Sequence, residues 1–198
     1  LPIYDVDKID TNGTATHFID YNAGVGVYPV YAICDDGTNA YWVTNATSGA
    51  TTKLTVYGKP LTGSSASTAD EFKVFDNTQV ISNAAMEYVK QRLIICADNK
   101  IYECATAAAS TPTLLYTNPS SSHVYTSVSA SGSAIYISGY NGIQSTIQKF
   151  TVSNTGTLPT LTSSIVAAEL PVGEIAHKIF KLFNPIFKLL YFIKYSKK

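Results

Sequence analysis

Carboxylates are the first groups in this chain to test for chemistry. Asp5, Asp7 and Asp10, followed by Asn12 and Gly13, crowd oxygen donors into one short stretch. A calcium loop of the EF-hand type needs Asp or Asn at alternate positions, Gly at the sixth and Glu at the twelfth. Counted from Asp5, a ligand position falls on Ile9, the glycine position on Asp10 and the glutamate position on Thr16. The segment therefore reads as an acidic, solvated loop. Asp35, Asp36, Asp98 and Glu103 are the next candidates, because two acids from distant segments can converge on a glycosidic bond. Each lies at or beside a turn, where acidic side chains bond the local backbone, and turn duty is the expectation. His17, His123 and His177 are scattered and read as surface or packing residues. There is no HExxH array, no GxSxG elbow and no phosphate-binding loop. Gly24-Val25-Gly26 is too short for a dinucleotide fingerprint. The reading is a non-enzyme with no cofactor and no metal.

The three cysteines, Cys34, Cys96 and Cys104, form no CxxC pair. Cys34 and Cys96 end apolar runs, Ala-Ile-Cys and Ile-Ile-Cys, so three free thiols packed as small hydrophobes are expected. Aromatic residues make up 12% of the chain, with 14 Tyr and one Trp. Tyr41, Trp42, Tyr102 and Tyr136 recur at related places and are the candidate surface-recognition residues. Successive strand residues face opposite ways, so Tyr41 and Trp42 are not both expected in a core. An exposed member would stack on a sugar ring; a buried one would pad the contact between repeated units.

The elements that hold these residues repeat. Ala32-Ile33-Cys34, a turn at 35–39 and Tyr41-Trp42-Val43 form one instance. Leu93-Ile94-Ile95-Cys96, a turn at 98–100 and Ile101-Tyr102 form the second. Ser127-Val128-Ser129, a turn at 130–133 and Ala134-Ile135-Tyr136-Ile137 form the third. Recurrence of this kind marks copies of one supersecondary unit, each too small to bury its own face. A unit of about 45–50 residues holds four short strands, the size of one propeller blade. The expected fold is all-β: a β-propeller-like array of about three blades over 30–177, preceded by an irregular segment at 1–29 with one or two short strands. A two-sheet sandwich is the alternative. Finer expectations are a hairpin connection at Asn45–Gly49 and a strand resuming at Gln79–Ile81. Residues 84–89 read as either a helical turn or a strand, and 147–152 as a strand with its apolar residues alternating.

Charge separates the body from the end. Residues 1–177 carry 8 basic and 14 acidic residues, a net −6, while 178–198 carry six lysines and no acid. A body that repels phosphate at long range is a poor nucleic-acid partner.

The phrases 36–45 (Asp-Gly-Thr-Asn-Ala-Tyr-Trp-Val-Thr-Asn), 59–63 (Lys-Pro-Leu-Thr-Gly), 85–90 (Ala-Met-Glu-Tyr-Val-Lys) and 168–174 (Ala-Glu-Leu-Pro-Val-Gly-Glu) resemble tailed-bacteriophage structural proteins, the β-propeller-bearing tail or virion components. The likeness runs over roughly 30–178. It implies a structural, assembly or surface-recognition role in an extracellular particle. The implied partners are other virion proteins in several copies, with host glycans as the rival, and no catalytic residue carries over. The pattern departs after Phe180, and three units are too few for a ring of about four to eight blades, so either the chain is a fragment or several chains complete the assembly. The basic apolar tail, 178–198, has three open readings: a docking segment for a neighbouring chain, the product of a shifted reading frame in AT-rich DNA, or a cationic helix on a membrane surface. Pro185 interrupts any such helix.

Overall fold

The computed structural model describes residues 5–9, 11–20, 29–48, 51–63, 70–131, 134–151 and 160–168. Among these residues the chain is all-β and contains no helix. The basic tail, His177 and residues 49–50 lie outside them.

A hairpin comes first: β1 (Asp5–Ile9) pairs antiparallel with β2 (Ala15–Asp20). The expected acidic loop is thus strand on both sides of a short turn. Three four-stranded antiparallel meanders follow, each in sequence order. The first sheet holds β3 (Val30–Asp35), β4 (Asn39–Ser48), β5 (Thr51–Pro60) and β6 (Phe72–Asp76). The second holds β7 (Ala84–Val89), β8 (Arg92–Ala97), β9 (Lys100–Ala105) and β10 (Thr113–Thr117). The third holds β11 (Val124–Ser131), β12 (Ala134–Tyr140), β13 (Gln144–Thr151) and β14 (Thr160–Ala168). The first strands of successive sheets touch: β3 packs on β7, and β7 on β11.

Three apolar layers hold the elements together. Phe18, Ile19, Val30, Ala40 and Trp42 fill the layer between the hairpin and the first sheet. Tyr41, Val43, Leu54 and Val56 of the first sheet meet Met86, Leu93, Ile95 and Tyr102 of the second. Ile94, Cys96 and Ile101 of the second meet Tyr125, Ile135, Ile137 and Phe150 of the third. The second sheet is therefore covered on both faces. This explains why Leu93–Ala97 is apolar without a break, whereas a sheet with one wet face alternates. Ala84–Val89, ambiguous in sequence, is a strand because its residues serve both layers.

Two expectations need correction. Asn45–Ser48 is not a connection but the end of β4, with Asn45 opposite Leu54 and Ser48 opposite Thr51. Its buried amide explains why a turn-type residue sits in a strand: Nδ2 donates to Ile81 O (2.6 Å), and Oδ1 accepts from Ile81 N–H (3.1 Å). Gln79–Ile81 is accordingly no strand but part of the linker between the first two sheets, which Asn45 fixes in place. On the other side of that linker, Asp98 accepts from Ser82 N–H and Oγ–H and from Asn83 N–H.

The β7–β8 hairpin closes on Lys90 and Gln91, both with positive φ (49° and 65°). Two-residue turns of this hand favour Asn-Gly, because a Cβ is strained there by about 1–2 kcal/mol per residue. Glycine adds about 0.5–1 kcal/mol of unfolded-chain entropy in return. Gln91→Gly is therefore expected to raise the unfolding free energy by about 0.5–1 kcal/mol, read as a higher urea midpoint at unchanged slope.

Candidate functional site

The four aromatic candidates do not form one surface. Tyr41 is 1% exposed and lies between the first and second sheets. Its ring stands edge-on to Phe72 (6.3 Å), and its hydroxyl donates to Asp36 Oδ2 at 2.7 Å. Burial first, and that hydrogen bond second, push its pKa up to about 12. Trp42, on the opposite face, has no exposed surface and stacks on Tyr57 at 5.9 Å. Tyr102 is buried in the same layer as Tyr41 and donates to Gln79 Oε1 at 2.7 Å. Only Tyr136, 40% exposed, presents a ring to solvent. The expectation that Tyr41 and Trp42 could not both be interior is thus corrected. They do point opposite ways, but the first sheet has an apolar layer on each side. Padding between units is the role that Tyr41 and Tyr102 take, while Trp42 fills the layer between the hairpin and the first sheet.

Tyr136 belongs to the outer face of the third sheet, which is the candidate interaction surface. Antiparallel pairing places Ser129, Tyr136 and Lys149 in one row, and Ser127, Ser138 and Ile147 in the next. Lys149 Nζ stands 5.8 Å from the centre of the Tyr136 ring. Ser138 Oγ is 2.7 Å from Ser127 Oγ and 3.0 Å from Thr126 Oγ1, a short hydroxyl ladder. Ile147 is 50% exposed, and Tyr140 and Ile143 are also exposed. The expected alternation at 147–152 does not hold: Ile147 and Phe150 are three apart and lie on opposite faces, so Thr146 and Gln148 join Phe150 inside while Ile147 faces out. The inward polar groups are satisfied, Thr146 by His123 and Gln148 by Tyr125. Sequence reading missed Ile147 and Tyr140 as surface residues. The spacing of 136, 138 and 140 on one strand was the available signal for Tyr140. Partly apolar and rich in hydroxyls, this face can pack against a protein sheet or stack on a sugar ring; among the described residues it carries no acid–base pair.

Elsewhere the chemistry-bearing side chains are occupied by structure. Asp35 Oδ1 accepts from Gly37 N–H (3.0 Å), and Asp36 Oδ1 accepts from Thr38 and Asn39 N–H (2.8 and 2.7 Å). Partial burial opposes ionisation of Asp36, but hydrogen bonds from Asn39, Tyr41 and Thr38 outweigh it and hold its pKa below the usual carboxylate range. Asp35 and Asp36 serve their own turn; Asp98 occupies a turn position with a positive φ of 49°, but its carboxylate holds the linker at Ser82 and Asn83 instead. Glu103 serves no turn, and that expectation is corrected: it sits within β9, faces the third sheet and pairs with Arg92 of β8. Burial raises its pKa and the Arg92 charge opposes the rise. Asp7 bonds His17 Nδ1 at 2.9 Å. All three cysteines are free; burial pushes the Cys104 thiol up to about 12 and raises Cys34 and Cys96 further. A cleft of about 240 Å³ between the hairpin and the first sheet is lined by Val6, Phe18, Ile33 and Leu61, with Asp7 and Asp35 at its polar edge. Among the described residues, no group of three His, Cys, Asp or Glu side chains could hold a metal ion.

No protein-family model matches this chain, and no curated protein matches it either.

Proposed function

We propose that this chain is a structural β-propeller-type module of a phage tail or virion, working through protein–protein contacts. One observation carries the reading: three consecutive four-stranded meanders share apolar layers, and their first strands touch in succession. Blades of a propeller are four-stranded meanders arranged in this way, about four to eight to a ring. The outer face of the third sheet is where a next blade packs, as the third packs on the second. In this reading a neighbouring virion protein contributes it, and Tyr136, Tyr140 and Ile147 are the apolar contacts it covers. The carbohydrate-binding alternative rests on the exposed Tyr136 ring beside a row of serines.

The test compares the wild type with Tyr136→Asp/Ile147→Asp. The reading predicts that the wild type co-sediments with purified particles. The variant, folded by circular dichroism, should stay in the supernatant, with its incorporation reduced at least about tenfold, a loss of about 1.4 kcal/mol or more. Particles that contain no copy of the chain, or equal incorporation of both proteins, would overturn it. Glycan-array binding abolished by Tyr136→Ala would favour the alternative.

A further inference from the structure

Among the described residues, His123 is the one buried histidine, at 1% exposure. It directly precedes β11, with its backbone N–H bonded to Ser120 O at 3.1 Å. Its ring stands edge-on to Tyr125, 4.8 Å between centres, and its Nε2 lies 3.2 Å from Thr146 Oγ1. Gly139 on β12 admits the ring: a Cβ there would sit 2.2 Å from Nε2. The Gly139 backbone therefore lies against that edge of the imidazole.

The residue that His123 packs on is also the one that fastens the third sheet to the second. Tyr125 N–H donates to Asp98 O at 2.9 Å, and Tyr125 O accepts from Asn83 Nδ2. Its hydroxyl donates to Gln148 Oε1 at 2.7 Å. The groups facing this cluster are Tyr125 on β11, Thr146 and Gln148 on β13, and, from the second sheet and the turn after β8, Cys96, Tyr116 and Asp98. Thr146, a neutral hydroxyl, is the group bonded to the ring. Burial disfavours an imidazolium here, and the ring packs directly on Tyr125, the residue that holds the seam between the two sheets.

We propose that His123 is an acid sensor whose protonation releases the third sheet from the second, ahead of the unfolding of the first two sheets. The apolar layer between the first and second sheets contains no histidine, so acid has no equivalent group to act on there. Burial lowers the proton affinity of His123 in the closed form. In the open form it has the ordinary value, near pH 6.5. As pH falls through that value towards the depressed one, the open form binds a proton that the closed form does not. The opening constant then grows by up to about tenfold per pH unit.

Hydrogen exchange by mass spectrometry, at about pH 7.5 and about pH 5 and corrected for intrinsic rates, tests this. Peptides from 124–131, 134–140 and 144–151 should lose protection relative to peptides from 39–48 and 92–105, by up to about tenfold per pH unit below the ordinary histidine value. His123→Gln should abolish the difference. Should that variant not fold, an NMR titration of the wild-type imidazole decides: a midpoint below the ordinary histidine value, with no titration in the native state above it, supports the proposal. Equal losses in all three sheets, retained protection in the third, or a native-state midpoint at or above the ordinary value would overturn it.

Discussion

Trp42→Ala is expected to lower the unfolding free energy by about 3–5 kcal/mol. The side chain has no exposed surface and stacks on Tyr57 at an interplanar angle of 24°. It shares its layer with Phe18, Ile19, Val30 and Ala40, so removing it opens a cavity under the hairpin as well as on the sheet. Lys59 bridges the same two elements, its buried ammonium donating to Phe18 O at 3.0 Å. That bond keeps the hairpin in place and limits collapse into the void, which holds the cost near the upper end. The contrast is Tyr136→Ala, at an exposed ring, where a change within about 1 kcal/mol is expected. Urea unfolding of both variants checks the pair: comparable losses would mean that the two aromatics share one environment.

Arg92→Ala is expected to cost about 3–5 kcal/mol, more than its own packing explains. The reason is the partner. Glu103 is buried between the second and third sheets, and its Oε2 has no hydrogen-bond partner. Without Arg92, a carboxylate whose pKa burial already raises loses the charge that opposes the rise. A carboxyl with a raised folded pKa destabilises the protein above that pKa, and the penalty fades as pH falls towards the unfolded value. The gap between Arg92→Ala and wild type should therefore narrow on acidification from neutral pH. Arg92→Met combined with Glu103→Leu removes both charges and should recover most of the loss. Thermal melts of the three proteins at two pH values separate these outcomes; a double variant as unstable as the single one would contradict the account.

The repeated strand–turn–strand pattern was readable because local chemistry makes it. Leu93–Cys96 and Lys100–Cys104 pair across a two-residue turn, and Ser129 of β11 pairs with Tyr136 of β12. Asp35 and Asp36 were readable as turn residues for the same reason: their acceptors lie two or three residues away. What the sequence concealed depends on distant partners. Asn45 looks like a turn residue until Ile81, 36 positions on, occupies both ends of its amide. Thr146 and Gln148 look exposed until His123 and Tyr125, each 23 residues earlier, satisfy them and turn Ile147 outward. Glu103 follows a turn in sequence but faces a neighbouring sheet in space. Trp42 reads in sequence as either a surface residue or padding between units, because a sheet buried on both faces leaves no alternation to decide between them.

The central claim is the order of the layers: hairpin, first sheet, second sheet, third sheet. Methyl NOE spectroscopy on Ile/Leu/Val-labelled protein tests it directly. The account predicts NOEs from Val43 and Val56 to Leu93 and Ile95, and from Ile94 and Ile101 to Ile135 and Ile137, with none linking Val43 or Val56 to Ile135 or Ile137. Direct contacts between those last two groups would place the first and third sheets face to face, as in a two-sheet sandwich, and would contradict it.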